Sequence, residues 1–417
     1  MESYAAMNDN HFLTARRHPD LSEEGVCRRD EFQRDRDRVM HSRAFRRMMH
    51  KTQIFNANMG DHYRNRLTHT LEVSQIARSI GKTLGLNDEL IEAIALGHDL
   101  GHTPYGHIGE RTLNNLLMDQ VVDEIAPIHQ GFKHNFQSMR LVDELESRCS
   151  AYSGLNLTLA VREGILKHTS TTKNGEIINY PEADYTNIDL LRPSFTFEGQ
   201  IVAIADEVAQ CTHDLEDGVR SRIIGFDSII GNDLVKRVID AYSIPVNSNT
   251  KTPAYDTRNL IIKNMVGFLI KDICAASRVC IEDYMQKYGP SFRSAADCIN
   301  EKCIQFSSDV DAARKTLYNM ITTKVICSEQ ISASDAKSEY IIKQLFKAYY
   351  VHPKQLPDYV LDKYCNRKGI KFDRVALSDK TIIQDPAFIR TICDHISGMT
   401  DQFASRDYFR LYVPDHI

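Results

Sequence analysis

Apolar residues recur at helical spacing along most of the chain, and few segments alternate as strands do. Residues 68–84 carry apolar side chains on one face of a helix, and Gly85 is suited to end it. Residues 88–100 follow Asn87, a residue type that favours the position just before a helix. The same periodicity predicts further helices at 30–50, 135–147, 158–168 and 198–213.

Two polar stretches interrupt this pattern. Residues 170–195 predict a long irregular connection, either one that borders a binding site or a plain surface loop. Residues 243–258 separate the first helical block from a second, and a short extended pair is considered only near 367–384. Helices are predicted in the second block near 259–286, 309–323, 335–350 and 386–404. We expect an all-α fold, a helical core with a helical C-terminal extension and few or no strands.

Composition narrows the class of protein. A chain of 417 residues with 42% hydrophobic residues can bury a substantial core as one large domain or two. The net charge of −5 argues against a general polyanion binder. Residues 1–20 contain no apolar segment typical of a secretory signal, and no stretch reaches the length of a membrane span. The ten scattered cysteines form no Cys-x-x-Cys pair, so we expect reduced thiols in a cytoplasmic protein without membrane contact.

Residues 28–47 mix eight arginines with four acidic residues. Such alternation favours ion pairs within a helix and a solvated or subunit-facing surface, with phosphate binding as the alternative. The arginines are Arg28, Arg29, Arg34, Arg36, Arg38, Arg43, Arg46 and Arg47.

The segment 98–107 carries the strongest chemical signal. Its first two residues, His98 and Asp99, can present an imidazole and a carboxylate to one metal ion. His69 lies on the preceding predicted helix, and Asp206 lies in an apolar run where a carboxylate is costly to bury without a cation. A salt bridge or a helix cap would explain each residue alone. Together the four predict a hydrolytic centre for Mn, Fe, Ni, Zn or Mg, with no choice among these metals.

Several separated sequence blocks resemble the HD-domain deoxynucleoside triphosphate triphosphohydrolases, the bacterial dGTPases and their relatives. The blocks lie at 29–38, 44–47, 51–55, 66–73, 98–107, 131–135, 204–209, 212–217 and 398–401. A bare His-Asp pair occurs in many phosphohydrolases, whereas this ordered set is specific. The resemblance implies an N-terminal helical arm packing on the core at 1–60, an HD phosphohydrolase core at 61–240 and a helical C-terminal region at 241–417.

The resemblance also implies an activity. A dNTP, with dGTP as the default, is hydrolysed at the α-phosphorus to deoxynucleoside and inorganic triphosphate by a metal-dependent enzyme. The alternatives are an HD-type phosphohydrolase acting on another nucleotide, and a nucleotide-sensing or single-strand nucleic-acid-binding protein. The family further implies a homo-oligomer, often a hexamer, and in some members activation by dNTPs or binding of nucleic acid.

Three residues match positions where the family places catalytic groups. His107 and Glu110 lie three residues apart, which puts both on one face of a helix. His134 matches a second, mobile histidine of the family. The resemblance implies that His107 and His134 serve the leaving oxygen and the water, with Glu110 orienting an imidazole, and leaves open which histidine is the acid. The alternative for either histidine is a capping or supporting role, which is also our expectation for His102.

Other matched positions concern the substrate. Arg66 matches an arginine that contacts the triphosphate in the family. A guanidinium suits this role because it can bind phosphate oxygens in a bidentate manner. Asp214 matches a carboxylate near the sugar 3′-hydroxyl, Gln53 a polar residue near the nucleoside, and His352 lies in a segment that could approach the sugar. A solvated surface is our expectation for each of the weaker candidates for the triphosphate, which are Arg47, Lys51 and Lys167.

One position departs from the family pattern. Relatives commonly carry a tyrosine four residues after the last metal-ligand aspartate, where it packs against the deoxyribose. This chain has Gln210 there. Because that tyrosine helps to exclude a 2′-hydroxyl, discrimination between deoxyribose and ribose stays open.

Overall fold

The structure of the protein is a computed structural model. It describes residues 2, 4–20, 29–55, 63–118, 128, 130–147, 149–178, 180, 184–246, 255–289, 292–375, 377 and 382–414. Arg28 of the basic segment, and parts of the predicted connections at 170–195 and 243–258, lie outside these residues.

Helices dominate this part of the chain. The N-terminal half contains α1 (Glu31–Met40), α2 (Arg43–Arg47), α3 (Arg66–Leu84), α4 (Asp88–Gly97), α5 (His107–Met118), α6 (His134–Arg140), α7 (Leu159–Lys167), α8 (Phe197–Arg220), α9 (Phe226–Ile230) and α10 (Asp233–Ala241). The C-terminal half contains α11 (Tyr255–Lys287), α12 (Ser308–Ile321), α13 (Glu329–Val351), α14 (Asp358–Lys368), α15 (Pro386–Ser397) and α16 (Asp401–Tyr412). Short π-helical turns follow α6 at Leu141–Leu145 and α12 at Thr322–Ile326, and 3-10 turns lie at Met48–His50, Ala295–Asp297 and Pro353–Gln355.

The all-α prediction is confirmed. Within the described residues the only strands are β1 (Thr172–Lys173) and β2 (Glu176–Ile177), which pair antiparallel. None of the described residues between 367 and 384 is in a strand, so the extended pair considered there is not observed. The described helices include none that is both long and apolar enough to cross a membrane.

Local sequence signals set the ends of the helices around the centre. Asn65 and Thr68 form a reciprocal capping box at the start of α3, and Gly85 ends the helix with a φ of 71°. The Asn87 side chain accepts the first free amides of α4. Both helices therefore begin and end close to the predicted positions, which fixes His69 in the first turns of α3 and His98 directly after α4.

The core is formed by α3, α4, α7 and α8, which pack against one another, with α1 against α4 and α11 against α3 and α8. Glycine leaves room for the Ile91 side chain between α3 and α4. A Cβ atom built on Gly81 would lie 2.1 Å from Cδ1 of Ile91, so a larger residue would have to displace this side chain.

The C-terminal helices close over the other end of this core. α13 packs against α5, α15 and α16, so the C-terminal region touches the helix that carries His107. We predicted one helix over 386–404, which is wrong. The chain breaks after Ser397, and Thr400 starts α16 by accepting the amide of Phe403. The break consists of Gly398, Met399 and the cap residue Thr400.

The N-terminal arginines form the predicted ion pairs. Arg34 pairs with Glu31 one turn earlier at 2.9 Å. Arg36 also reaches Glu89 and Glu92 of α4, at 3.1 and 3.2 Å. These bonds anchor α1 to the core rather than leaving a free basic surface. All nine cysteines in the described part of the chain are free thiols.

Candidate metal centre and active site

The four predicted metal ligands come together between α3, α4 and α8. Nε2 of His69 lies 2.9 Å from Oδ1 of Asp206. Nε2 of His98 lies 3.6 Å from Oδ1 of Asp99 and 3.9 Å from Oδ1 of Asp206. Ligands that each lie roughly 2.0–2.2 Å from one cation are themselves about 3–4 Å apart. The spacing therefore fits a shared ion.

His98 supplies a test of that fit. Its Nδ1–H donates to the carbonyl of Ala95 at 2.7 Å, which leaves a lone pair on Nε2. That nitrogen is buried and has no hydrogen-bond partner among the described residues. A buried acceptor without a donor is costly, and a cation bound there would satisfy it. The donor set of two imidazoles and two carboxylates therefore fits a divalent transition metal or Mg²⁺.

Electrostatics keep both carboxylates of this set ionised. Burial acts to raise the pKa of Asp99, but the imidazoles of His102 and His98 and the guanidinium of Arg66 hold it well below its usual range. Burial acts in the same way on Asp206, where His69 and His98 lower the pKa instead. Both oxygens are thus in the charged form that a metal requires.

A chain of hydrogen bonds orients His69 from behind. Nδ1 of His69 lies 3.2 Å from Nδ1 of His213, and Nε2 of His213 lies 2.5 Å from the carboxylate of Glu72. Burial lowers the pKa of His213 to about 4, so this imidazole is neutral at pH 7. His213 donates its Nε2–H to the carboxylate of Glu72, and its Nδ1 accepts the Nδ1–H of His69. This arrangement leaves Nε2 of His69 free to bind a metal.

A second group of histidines lies beside the first. Nδ1 of His134 is 2.6 Å from Oε2 of Glu110, and its Nε2 is 3.1 Å from Nε2 of His168. His107 is the exposed member, with its Nδ1 3.9 Å from the same carboxylate oxygen. The ring of His102 stacks on His134 at 4.0 Å. Burial acts to raise the pKa of Glu110, but His134 and His107 lower it, so the carboxylate is ionised.

His134 is held between a carboxylate and a second imidazole. His168 donates its Nδ1–H to the carbonyl of Ile165, and burial lowers its pKa to about 3. Its Nε2 therefore presents a lone pair to His134, and the Glu110 carboxylate is an acceptor as well. His134 lies beside the predicted metal ligands, since ligand atoms of Asp99, His134 and His168 lie within 4.8 Å of one another.

The predicted substrate residues are brought to the site unequally. Arg66 is buried and donates to Asp99 at 2.7 Å, while its Nε and second terminal nitrogen have no partner in the described part of the chain. Oε1 of Gln53 and both carboxylate oxygens of Asp214 are likewise buried and lack a described partner. Burial, together with Asp217 and Asp206, raises the pKa of Asp214 well above its usual value.

Three other candidates differ from these in their exposure and in their hydrogen-bond partners. Lys167 donates to the backbone carbonyls of Asp189 and Arg192, which uses its ammonium in the connection before α8. His352 is exposed at the end of α13. We expected a solvated Lys51, and this is wrong, because it is 3% exposed and donates to the carbonyls of His102 and Ser397. Burial, followed by the charge of Arg47, lowers the pKa of Lys51 to about 7.

The sequence assigned no role to His168, His213 or Glu72, although Glu72 and His213 lie in blocks that carry the resemblance. Each lies in a helical stretch where an imidazole or a carboxylate has no distinctive spacing to a partner. Asp401 lay in one of the blocks that carried the resemblance, but nothing in the sequence assigned it a contact. Only the fold brings these residues beside the site.

Family models match two parts of the chain. The model of the HD domain matches residues 66–210, and the model of the phosphohydrolase-associated domain matches residues 304–410. A deoxyguanosinetriphosphate triphosphohydrolase-like protein of Geobacter sulfurreducens is 36% identical over 391 residues, covering 93% of this chain and 89% of the relative. A protein of the same description from Rickettsia bellii is 37% identical over 385 residues, covering 92% of each chain.

The chain belongs to the deoxyguanosinetriphosphate triphosphohydrolase-like family of HD-domain proteins.

A third member of this family, deoxyguanosinetriphosphate triphosphohydrolase-like protein 1 of Mesorhizobium japonicum, is 35% identical over 400 residues. All four predicted metal ligands lie inside the HD domain, as do His107, Glu110 and His134. Asp401 lies in the phosphohydrolase-associated domain. The protein is therefore an HD-family phosphohydrolase in which the second domain contacts the first next to the histidine clusters.

Proposed function

We propose that this protein hydrolyses a deoxynucleoside triphosphate, dGTP by default, to the deoxynucleoside and inorganic triphosphate. One observation carries the proposal: His134, held by Glu110 and His168, lies directly beside the set formed by His69, His98, Asp99 and Asp206. A metal set next to a proton donor suits cleavage of a phosphate ester, since both the phosphate and the leaving oxygen then have a partner.

The proposed metal ligands are His69, His98, Asp99 and Asp206. When bound, a divalent cation supplies Lewis-acid polarisation of a phosphate oxygen and lowers the pKa of a coordinated water. The donor set is compatible with Mn, Mg, Fe, Ni or Zn. His102, whose Nε2 lies 3.3 Å from Oδ1 of Asp99, supports this carboxylate from behind in the proposal.

We assign the proton on the leaving 5′-oxygen to Nε2 of His134. In the resting arrangement this nitrogen lies 3.1 Å from Nε2 of His168. Rotation of a protonated ring away from His168 would present this N–H to substrate, while the Glu110 carboxylate at Nδ1 would compensate the positive charge. The exposed His107 then remains to accept a proton from the attacking water, with Glu110 shared between the two imidazoles.

The triphosphate would bind through Arg66. Two of its guanidinium nitrogens lack a described partner, and a guanidinium held by Asp99 on one edge still offers the other edge to a phosphate oxygen. Lys167 and His352 stay predictions as substrate contacts. Lys167 would have to exchange its backbone carbonyls for phosphate, and His352 would have to turn in from the surface.

The sugar and nucleoside would meet Asp214 and Gln53. Burial and the neighbouring carboxylates raise the pKa of Asp214, which favours its protonated form, and a protonated carboxyl can both donate to and accept from a 3′-hydroxyl. Gln210 lies one turn after Asp206 on α8 and is partly buried. A flexible amide there leaves more room beside C2′ than a tyrosine ring would.

The proposal keeps three further expectations from the sequence. The chain divides into an arm at 1–60, a core at 61–240 and a C-terminal region at 241–417. The enzyme works as a homo-oligomer, with a hexamer favoured and a dNTP activator or single-stranded nucleic acid as further partners. Light scattering on the purified protein would test the assembly, since a mass of 47.6 kDa would contradict it.

Product analysis tests the proposed reaction. The purified protein with Mn²⁺ is given each dNTP and GTP, and products are separated by anion exchange. We expect deoxynucleoside and intact triphosphate in equal amounts, lost in the double variant His98→Ala, Asp99→Ala. Turnover of GTP alongside dGTP would show that Gln210 admits a 2′-hydroxyl.

Three other outcomes would reject the proposal. Release of only orthophosphate or pyrophosphate would place the reaction at another bond. Turnover confined to monophosphates or cyclic nucleotides would favour a different HD phosphohydrolase. Salt-dependent binding of single-stranded nucleic acid without any turnover, in the presence of mixed dNTPs, would favour a binding protein.

A further inference from the structure

The loop between the metal ligands and α5 contains an unusual turn. It leaves Asp99, passes through Tyr105 and Gly106 and enters the helix at His107. Tyr105 has a φ of 61° and Gly106 one of 63°. An aromatic residue avoids this left-handed conformation unless its surroundings impose it. The direction in which α5 leaves the loop depends on these two residues, and so does the position of His107.

One carboxylate of the phosphohydrolase-associated domain holds this turn. Oδ1 of Asp401 accepts the backbone amide of Tyr105 at 2.9 Å. The carbonyl of Asp401 accepts the Tyr105 hydroxyl at 3.1 Å, and that hydroxyl also lies 2.7 Å from Oγ of Ser405. The strained residue is thus bonded to α16 at both its backbone and its side chain.

The second oxygen of the same carboxylate holds another segment of the site. Oδ2 of Asp401 accepts the amide of Thr52 at 2.8 Å and its hydroxyl at 2.5 Å. Thr52 directly precedes Gln53 and forms a β-bridge with Asn65, the cap of α3. Asp401 is 8% exposed, so these bonds lie away from competing water.

The neighbouring contacts join the same parts. Lys51 donates to the carbonyl of His102 in the loop and to that of Ser397 at the end of α15. A Cβ atom placed on Gly106 would lie 3.4 Å from a terminal nitrogen of Arg66 and from the carbonyl oxygen of Gln53. The turn is therefore packed against the proposed triphosphate and nucleoside contacts.

We propose that Asp401 is a positioning residue for the reaction: it joins the Tyr105 turn to Thr52 and so sets where α5 presents His107 and Glu110 relative to Arg66 and Gln53. The inference rests on the proposed function for its kinetic part only. It gives the phosphohydrolase-associated domain a part in aligning the HD-domain site. Asp401 has this effect without touching the substrate.

Asp401→Asn is the test variant, and Thr400→Ala is the matched control. An asparagine retains the shape but places an amide N–H₂ against one of the two groups of N–H and O–H donors. Thr400 caps the same helix through the amide of Phe403, and its loss loosens the start of α16 without touching the turn. Both variants are measured for kcat, KM, metal affinity and thermal unfolding.

We expect kcat of Asp401→Asn to fall about 10- to 100-fold, because a small misplacement of catalytic groups has effects of this size. KM and metal affinity should stay within about threefold of the parent enzyme, and Thr400→Ala should keep its kcat. A kcat for Asp401→Asn equal to that of Thr400→Ala would overturn the inference. So would equal losses in kcat, KM and metal affinity, which indicate general disruption.

Hydrogen exchange gives a readout that does not depend on turnover. The amide of Tyr105 should exchange faster in Asp401→Asn than in the parent protein, while amides of α3 and α8 are unchanged. Unchanged protection at Tyr105 would overturn the inference even for an enzyme of another specificity. Absence of dNTP hydrolysis in the parent protein, with the exchange effect present, would reject only the proposed function.

Thr52→Val covers the case in which Asp401→Asn fails to fold. It removes one donor to the carboxylate and keeps the shape of the side chain. The expected result is a smaller loss of kcat in the same direction, with KM retained. Full activity in Thr52→Val, with Asp401→Asn unfolded, would show that Asp401 has a purely structural role and would overturn the inference.

Discussion

His134 is positioned by its two neighbours. Its Nδ1 lies 2.6 Å from the Glu110 carboxylate, and its Nε2 lies 3.1 Å from Nε2 of His168. His168 is itself held by its bond to the carbonyl of Ile165 in α7. A carboxylate at Nδ1 stabilises the protonated imidazole that the proposed acid step requires.

The structure contains a second group of residues that could surround a metal ion. This group consists of His102, His107, Glu110 and His134. We expect Asp206→Asn to lose bound metal and Glu110→Gln to retain it. Glu110→Gln should instead lower kcat by about 100-fold or more, since the positive charge on His134 loses its partner. Metal content by mass spectrometry, with kcat on dGTP, separates the two. Metal loss in Glu110→Gln alone would place the ion in the second cluster.

The bond between His69 and His213 gives a second prediction. His213→Phe removes the acceptor that orients the His69 imidazole, at nearly constant volume. We expect the affinity for Mn²⁺, measured by calorimetry, to fall about 10- to 100-fold, as for other residues that support metal ligands. His395→Phe is the matched control, because this imidazole is partly buried and packs against Tyr349, away from the proposed ligands. An equal loss in both variants would contradict a specific role for His213.

Spacing and residue type predicted four metal ligands, and the fold brings these four residues together; their binding of a metal stays a prediction. Asp206 was the most informative, because a carboxylate in an apolar run needs a cation or a partner. Residue type said nothing of His168, whose role depends on a bond to His134 across 34 positions of the chain. The prediction of a solvated Lys51 was wrong for a related reason. A lysine that donates to two buried carbonyls has the same local sequence as a solvated one.

At the scale of elements, α7 and the segment leading into α8 are joined by a buried glutamate. Glu163 accepts the hydroxyl of Ser194 at 2.7 Å and the amide of Phe195 at 3.1 Å. Burial raises the pKa of Glu163 to about 7, with Lys167 acting in the opposite direction. This connection fixes the start of the helix that carries Asp206.

The raised pKa predicts how stability depends on pH. A carboxyl that is more easily protonated in the folded state contributes stability fully below its unfolded pKa of 4.5 and loses it as pH rises through about 7. The difference is at most on the order of 3 kcal/mol. Glu163→Gln should therefore flatten the fall in unfolding free energy between pH 5 and pH 8, measured by denaturant titration at each pH.

Two results would contradict this prediction. An identical pH dependence in the parent protein and in Glu163→Gln would show that the carboxyl does not change its proton binding on folding. A steeper dependence in the variant would mean that the sign is reversed. Glu198→Gln in α8 serves as a comparison variant, since burial raises the pKa of that carboxyl too.

Element boundaries followed the sequence where capping side chains mark them. Asn87 and Gly85 delimit α4 and α3 as predicted. The break between α15 and α16 was missed, because apolar periodicity continues across it and Gly398 alone does not end a helix. The break matters for function, since it turns α16 so that Asp401 faces the loop containing Tyr105.

At the scale of the whole molecule, the C-terminal helices complete the site rather than extend away from it. α13 packs against α5, and α15 and α16 contact the residues around Lys51 and Thr52. The sequence predicted the all-α architecture and helical structure in these regions, without the break between α15 and α16. It could not predict their docking, which depends on buried polar bonds between residues about 350 positions apart, such as Thr52 and Asp401.

Hydrolysis of dGTP in ¹⁸O-labelled water tests the central claim most directly. Attack at the α-phosphorus with His134 protonating the leaving 5′-oxygen predicts one ¹⁸O atom in the inorganic triphosphate and none in deoxyguanosine, read by mass spectrometry. Label in the deoxyguanosine would mean that water attacks the sugar carbon instead. Labelled pyrophosphate or orthophosphate in place of triphosphate would contradict the proposed function outright.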